Sequence, residues 1–82
     1  RSILSWLHTQ GYAVKIHGSA SQEAGVPDIL VCIAGRFVGI EVKKPGGKAS
    51  KLQLHHIEQI IAAGGVAFVT DSLEDCKAQL AS

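Results

Sequence analysis

Cysteine is scarce in this chain, with two among 82 residues, and neither Cys32 nor Cys76 has a partner at CxxC spacing. That excludes a zinc site of the paired-cysteine type. With no signal peptide in view, it points to reduced, cytoplasmic thiols rather than a disulfide framework. No apolar run approaches the length of a membrane-spanning helix. Pro45-Gly46-Gly47-Lys48 lacks the Walker spacing and no GxGxxG follows a strand, so P-loop nucleotide hydrolysis is disfavoured. Internal repeats are absent, and no linker is long enough to divide the chain. A surplus of one charge is missing too: at a formal net charge of +1, bulk electrostatics do not announce a nucleic-acid binder. Methionine is absent altogether, and Arg1 stands inside an apparent helical pattern, so upstream residues are expected to have been trimmed.

What remains is a globular composition, 46% hydrophobic and 18% charged, sized for one domain (1–82) with a modest core. Ile3, Leu4, Trp6 and Leu7 make a helical stripe that Gly11 closes. Tyr12 to His17 alternates weakly, with Tyr12, Val14 and Ile16 on one face, and suits a first strand. After a small, polar loop from Gly18 to Gly25, Ile29-Leu30-Val31-Cys32-Ile33 and Phe37-Val38-Gly39-Ile40 flank Ala34-Gly35-Arg36, which reads as a β-hairpin over residues 27 to 43. Pro45-Gly46-Gly47 ends that ladder. A second helix is predicted from Ser50 to Ala63, stopped by Gly64-Gly65. A short buried strand follows from Val66 to Val69. Thr70-Asp71-Ser72 offers caps for a last helix through Leu80, with Leu73, Cys76 and Leu80 inward. The order αβββαβα makes an α/β fold. The helix between the third and fourth strands implies a parallel crossover in a mixed four-stranded sheet.

The most informative feature is Pro27-Asp28 followed thirteen positions later by Glu41-Val42-Lys43. Residues two apart on a strand share a face, so Gly39, Glu41 and Lys43 point one way and Val38, Ile40 and Val42 the other. A two-residue turn at Ala34-Gly35 sets Asp28 opposite Glu41, and one at Gly35-Arg36 sets it opposite Lys43. Either puts two acids and an amine on one face, the parts needed to hold a divalent cation beside a phosphodiester. A three-residue turn pairs Asp28 with Val42 and weakens the idea. Carboxylates and lysines at strand ends are also commonly solvated and energetically minor, so the combination carries the argument, not any single residue. Lys43, Lys44, Lys48 and Lys51 cluster within nine positions, with Arg36 across the hairpin, and could neutralise phosphates locally.

Gly25-Val26-Pro27-Asp28-Ile29-Leu30, Gly39-Ile40-Glu41-Val42-Lys43-Lys44-Pro45-Gly46 and Ser50-Lys51-Leu52-Gln53, in that order, resemble the VRR-NUC (virus-type replication-repair nuclease) branch of the PD-(D/E)XK nuclease superfamily. The resemblance runs from about His17 to Val69. It implies a restriction-endonuclease-like core and a metal-dependent DNA endonuclease. Short members of that type resemble Holliday junction resolvases and act as homodimers on branched DNA. Expected partners are therefore junction DNA and a second copy, without a membrane, in a cytoplasm of bacterial, phage or prophage origin. The implied catalytic set is Asp28, Glu41, Lys43 and Gln53. The metal ligands would be Asp28, Glu41 and the backbone carbonyl of Val42. Mg²⁺ or Mn²⁺ suits such oxygen ligands. Lys43 would orient or deprotonate the attacking water, or stabilise charge on the phosphorus centre; sequence leaves those roles open. Lys44, Lys48, Lys51 and Ser19 are candidate DNA contacts.

Gln53 has a second reading, because Ser50-X-X-Gln53 is also a capping box; both hold if the helix start lies against the site. His55 and His56 are adjacent, so they face different ways on a helix and lack a third ligand at metal spacing. His17 and Ser21 stay outside the catalytic set. One departure matters: many superfamily members carry a first-helix glutamate at the metal, whereas Arg1 to Gln10 contains no acid, so that residue is either upstream of Arg1 or absent, and Glu23 is the only nearby substitute. That gap supports an alternative, a catalytically degraded nucleic-acid-binding module. A third reading is a protein-interaction domain whose carboxylates only solubilise its surface.

Overall fold

A computed structural model describes residues 2–17 and 24–82. Its elements are α1 (Ser2–Gln10), β1 (Tyr12–Lys15), β2 (Ile29–Ile33), β3 (Arg36–Val42), α2 (Lys51–Ala62), β4 (Val66–Thr70) and α3 (Leu73–Ala81). The sheet order is β1-β2-β3-β4, antiparallel across the first two pairs and parallel between β3 and β4. The expected element order and mixed sheet are therefore present.

The hairpin tip decides the register. Ala34 (φ 51°) and Gly35 (φ 80°) are both left-handed and lie between the paired residues Ile33 and Arg36. Two positive φ values make a type I′ turn, whose twist matches that of the flanking strands. Ile29 then pairs with Ile40, which carries Asp28 to the position opposite Glu41. Of the possible turns, the chain uses Ala34-Gly35.

Each side of the sheet has its own cover. Ala13, Val31, Val38, Ile40 and Phe68 join Ile3 and Leu7 of α1 and Cys76 of α3 in the principal core. On the opposite side α2 packs over β3 and β4, with Ile57 buried. Gly39 permits that approach: a β-carbon there would come within 2.8 Å of the Ile60 side chain and 3.1 Å of Pro27. Because α2 leaves β1 and β2 uncovered, the row Tyr12, Cys32 and Phe37 is exposed. Ala13 supplies the buried face of β1, and Cys32 is exposed although its strand is central.

The helix ends follow sequence chemistry. Ser50 and Gln53 form the capping box of α2. At its other end Gly65 donates to the Ile60 carbonyl (2.9 Å) and Gly64 to that of Ile61 (3.0 Å), a Schellman arrangement with Gly64 at φ 99°. Ser72 caps α3, accepting from the Asp75 amide at 3.0 Å.

The turn yields a stability prediction. A left-handed conformation costs an L-residue roughly 1–2 kcal/mol, less for Asn. Ala34→Asn is therefore expected to stabilise the fold by about 1 kcal/mol, which raises Tm by roughly 4–8 °C in a domain of this size. Thermal unfolding measures it; a lowered Tm contradicts the turn.

Candidate active site

The site is assembled at the end of β2 and β3 opposite the hairpin tip. Asp28 sits between two strands. Its carbonyl accepts from the Ile16 amide at 2.7 Å, and its Oδ2 accepts from the Val42 amide at 2.9 Å. The buried Pro27 precedes it and packs near Gly39. A residue in extended backbone directs its N–H and C=O to the same side. The Val42 carbonyl therefore points toward β2, alongside the carboxylate that its own amide engages. Lys43 alternates, and its amide donates to the Thr70 carbonyl of β4 at 2.9 Å.

Glu41 lies between these strands with only 2% of its surface exposed. Its Oε2 accepts from Gln53 Nε2 at 3.1 Å and faces Lys43 Nζ at 3.4 Å. Its Oε1 is buried and has no hydrogen-bond partner among the described residues. Burial pushes its pKa up, and the neighbouring Asp28 carboxylate pushes it further, against the lowering pull of Lys43. A buried carboxylate oxygen without a partner is costly. A hard cation between Asp28 and Glu41 would supply that partner and relieve their mutual repulsion.

The donor set fits such an ion. Among the described residues no three His, Cys, Asp or Glu side chains gather at a metal-holding distance, so two carboxylates need a main-chain oxygen beside them. The direction of the Val42 carbonyl makes it the candidate.

Gln53 satisfies both of its sequence readings at once. Its Oε1 accepts from the Ser50 amide at 2.8 Å, and its amide nitrogen donates to Glu41. The cap thereby fixes which end of the amide faces the acids: a donor, not an acceptor.

Four residues singled out in the sequence (Asp28, Glu41, Lys43 and Gln53) thus come together with the Val42 backbone. Lys44, Lys48 and Lys51 are exposed along the segment from the end of β3 to the first turn of α2. Ser19, Ser21 and Glu23 lie outside the described residues. Arg36 does not join the basic cluster. It begins β3 at the hairpin end, about 20 Å away at roughly 3.3 Å per residue, beside a hollow of about 410 Å³ also lined by Trp6 and Leu80. His55 is exposed, while His56 is half-buried with its ring toward Gly25.

Sequence reasoning missed the Thr70–Asp75–Gln79 group beside the site. Thr70 is 2% exposed; its hydroxyl lies 2.7 Å from Asp75 Oδ2, and Gln79 donates to the same oxygen at 2.8 Å. Those bonds hold the Asp75 pKa below its ordinary value. The available signal was Ser72-X-X-Asp75, an acid three residues after a cap.

A family model described as "Archaeal holliday junction resolvase (hjc)" matches residues 1–73. A solved structure described as "VRR_NUC domain protein" has a TM-score of 0.77 at 21% identity, over 98% of this chain and 80% of that one. At that identity the likeness establishes the fold, a restriction-endonuclease-like mixed sheet flanked by helices. No curated protein matches the chain. The matches together support the nuclease superfamily read in the sequence; the family matched is that of the junction resolvases, and the likeness to the VRR-NUC branch holds at the level of the fold.

Two substitutions separate charge from scaffold. The raised Glu41 pKa means the folded state holds that proton more tightly than the unfolded chain. Its effect on stability is therefore lost as pH rises from the ordinary value near 4.5 through the raised one. Glu41→Gln should raise the neutral-pH Tm of the metal-free protein and flatten its pH dependence across that window, read by thermal unfolding at stepped pH. Gln53→Glu keeps a side chain competent for the capping box but turns a carboxylate toward Glu41. It should leave helix content unchanged by circular dichroism and raise the pH at which Glu41 ionises, as followed by carboxyl NMR.

Proposed function

The chain belongs to the archaeal Holliday junction resolvase family, and we propose that it is a divalent-metal-dependent endonuclease that cuts branched DNA. The observation that carries this reading is the buried Oε1 of Glu41 beside Asp28, without a hydrogen-bond partner among the described residues. Stability alone gives no reason to seat a second carboxylate there. We treat residues 1–82 as one nuclease domain.

Asp28, Glu41 and the Val42 carbonyl would hold Mg²⁺ or Mn²⁺. When bound, such an ion neutralises phosphoryl charge and lowers the pKa of water at the site. The chain does the rest. Lys43, 26% exposed at its side chain and within reach of Glu41, faces both the acids and solvent, where a phosphodiester would enter. Its ammonium orients the attacking water or stabilises charge at the phosphorus centre. Gln53 donates to Glu41 and keeps that carboxylate turned toward Asp28. Lys44, Lys48 and Lys51 bind the phosphates flanking the cut, and Ser19 is assigned there too. A homodimer completes the reading: one small domain offers one active site, whereas a symmetric pair makes two nicks across a junction.

The alternative of a degraded binding module draws on the lack of any acid within Ser2–Gln10 of α1. The engaged set of Asp28, Glu41, Lys43 and Gln53 favours the enzyme.

The test uses four-way junctions, flaps, single strands and linear duplex with Mg²⁺ or Mn²⁺. Cutting of junctions is expected, lost with chelator. Asp28→Asn and Lys43→Ala should each lower the rate by about 10²-fold or more, while junction binding in a gel-shift assay persists. Binding without cutting under every metal condition returns the reading to the binding module. Sedimentation of the free protein tests the dimer, and a monomer at the working concentration rejects it.

A further inference from the structure

We propose that Thr70 and Gln79, joined through Asp75, are positioning residues that aim the Val42 carbonyl at the metal site; this rests on the metal-site reading above. The aim of that carbonyl is set by one peptide unit. Its oxygen is that of Val42 and its hydrogen that of Lys43, and in a trans peptide the two point in opposite directions. The Lys43 N–H is fixed on the Thr70 carbonyl at 2.9 Å, so the Val42 oxygen is turned toward Asp28. Wherever Thr70 moves, that oxygen turns with it.

Thr70 ends β4, the last position at which the parallel ladder with β3 can hold it. A strand terminus frays unless something beyond the ladder secures it. Here α3 does so from two directions. The Thr70 hydroxyl has two acceptors in reach, Asp75 Oδ2 at 2.7 Å and the Ser72 carbonyl at 3.1 Å, and its one proton goes to the nearer carboxylate. Gln79 donates to that same oxygen at 2.8 Å and to the preceding Val69 carbonyl at 2.9 Å. The Ser72 hydroxyl in turn accepts from the Asp75 amide, which sets where Asp75 can stand. One carboxylate oxygen thus gathers a strand end and a helix. Helix packing alone requires none of this, since Leu73, Cys76 and Leu80 already supply the apolar contact. The hydrogen bonds act instead on the two residues whose backbone borders the site. Lys43, Thr70, Asp75 and Gln79 line one open hollow there.

The experiment is Mn²⁺ binding to the full chain, followed by electron paramagnetic resonance of free and bound ion, with unfolding free energy measured alongside. Thr70→Val removes the hydroxyl at constant shape and charge. It is expected to weaken Mn²⁺ binding by about 10-fold, the lower end for loss of an outer partner of a metal ligand. Thr70→Ser restores the hydroxyl and should stay within about 2-fold of the starting protein on that same scale. Gln79→Met, also neutral, tests the cluster independently should Thr70→Val fail to fold, and is expected to weaken binding in the same direction. Saturating Mn²⁺ should recover the junction cleavage of either variant. Variants that lose stability yet bind Mn²⁺ as the parent does overturn the proposal and leave the metal site standing. A parent protein that binds no more Mn²⁺ than Asp28→Asn overturns the metal site, and this inference with it.

Discussion

Two carboxylates placed side by side at the ends of neighbouring strands repel each other, and in this protein one of them is also buried. The arrangement persists because everything around it opposes that repulsion. Asp28 accepts a hydrogen bond from the Val42 backbone amide, Glu41 accepts one from the Gln53 side-chain amide, and the Lys43 ammonium stands nearby. These partners still leave Glu41 with a raised pKa and with one oxygen that no described residue engages. The apolar core on the α1 and α3 side carries the stability that lets the opposite face hold such strain. Ile40 and Glu41 are successive residues of β3, both almost fully buried, one facing the core and the other the site. Fold and function are thus divided between two sides of a single strand.

Much of this was legible because it depends on periodicity and on local chemistry. Alternation along β3 placed Glu41 and Lys43 together, Gly64-Gly65 marked a helix end, and Ser50-X-X-Gln53 announced a cap. The cover of the sheet was not legible in the same way. Nothing local says that α2 lies over β3 and β4 but not β1, so the exposure of Tyr12 and Cys32 follows only from the placement of a helix distant in sequence. Arg36 was misplaced for a related reason. Its closeness in sequence to the lysine cluster is undone by an extended strand that carries it to the far end of the sheet. The Thr70 network was hidden because Thr70 and Asp75 flank the capping Ser72 and look like parts of an ordinary helix start, while Gln79 lies near the other end of α3.

Gln53 illustrates why the two levels need not compete. A capping box asks a side-chain oxygen to turn back toward the backbone, and an amide that does so leaves its nitrogen pointing outward. At the start of α2, outward is toward Glu41. The helix start and the acid cluster are satisfied by opposite ends of the same group. A glutamate would serve the first and offend the second, which gives a physical reason for glutamine at this position.

The two-residue tip at Ala34-Gly35 has a consequence for how such sequences can diverge. Because strand side chains alternate, inserting or deleting one residue at that tip would send Asp28 to the wrong side of the sheet while leaving β3 undisturbed. Descendants can exchange the tip residues for others that accept a left-handed backbone, yet they cannot change the tip's length by one without disarming a centre some 17 Å away at strand spacing. Hairpin length, invisible to any inspection of the catalytic side chains themselves, would then be inherited as strictly as the acids.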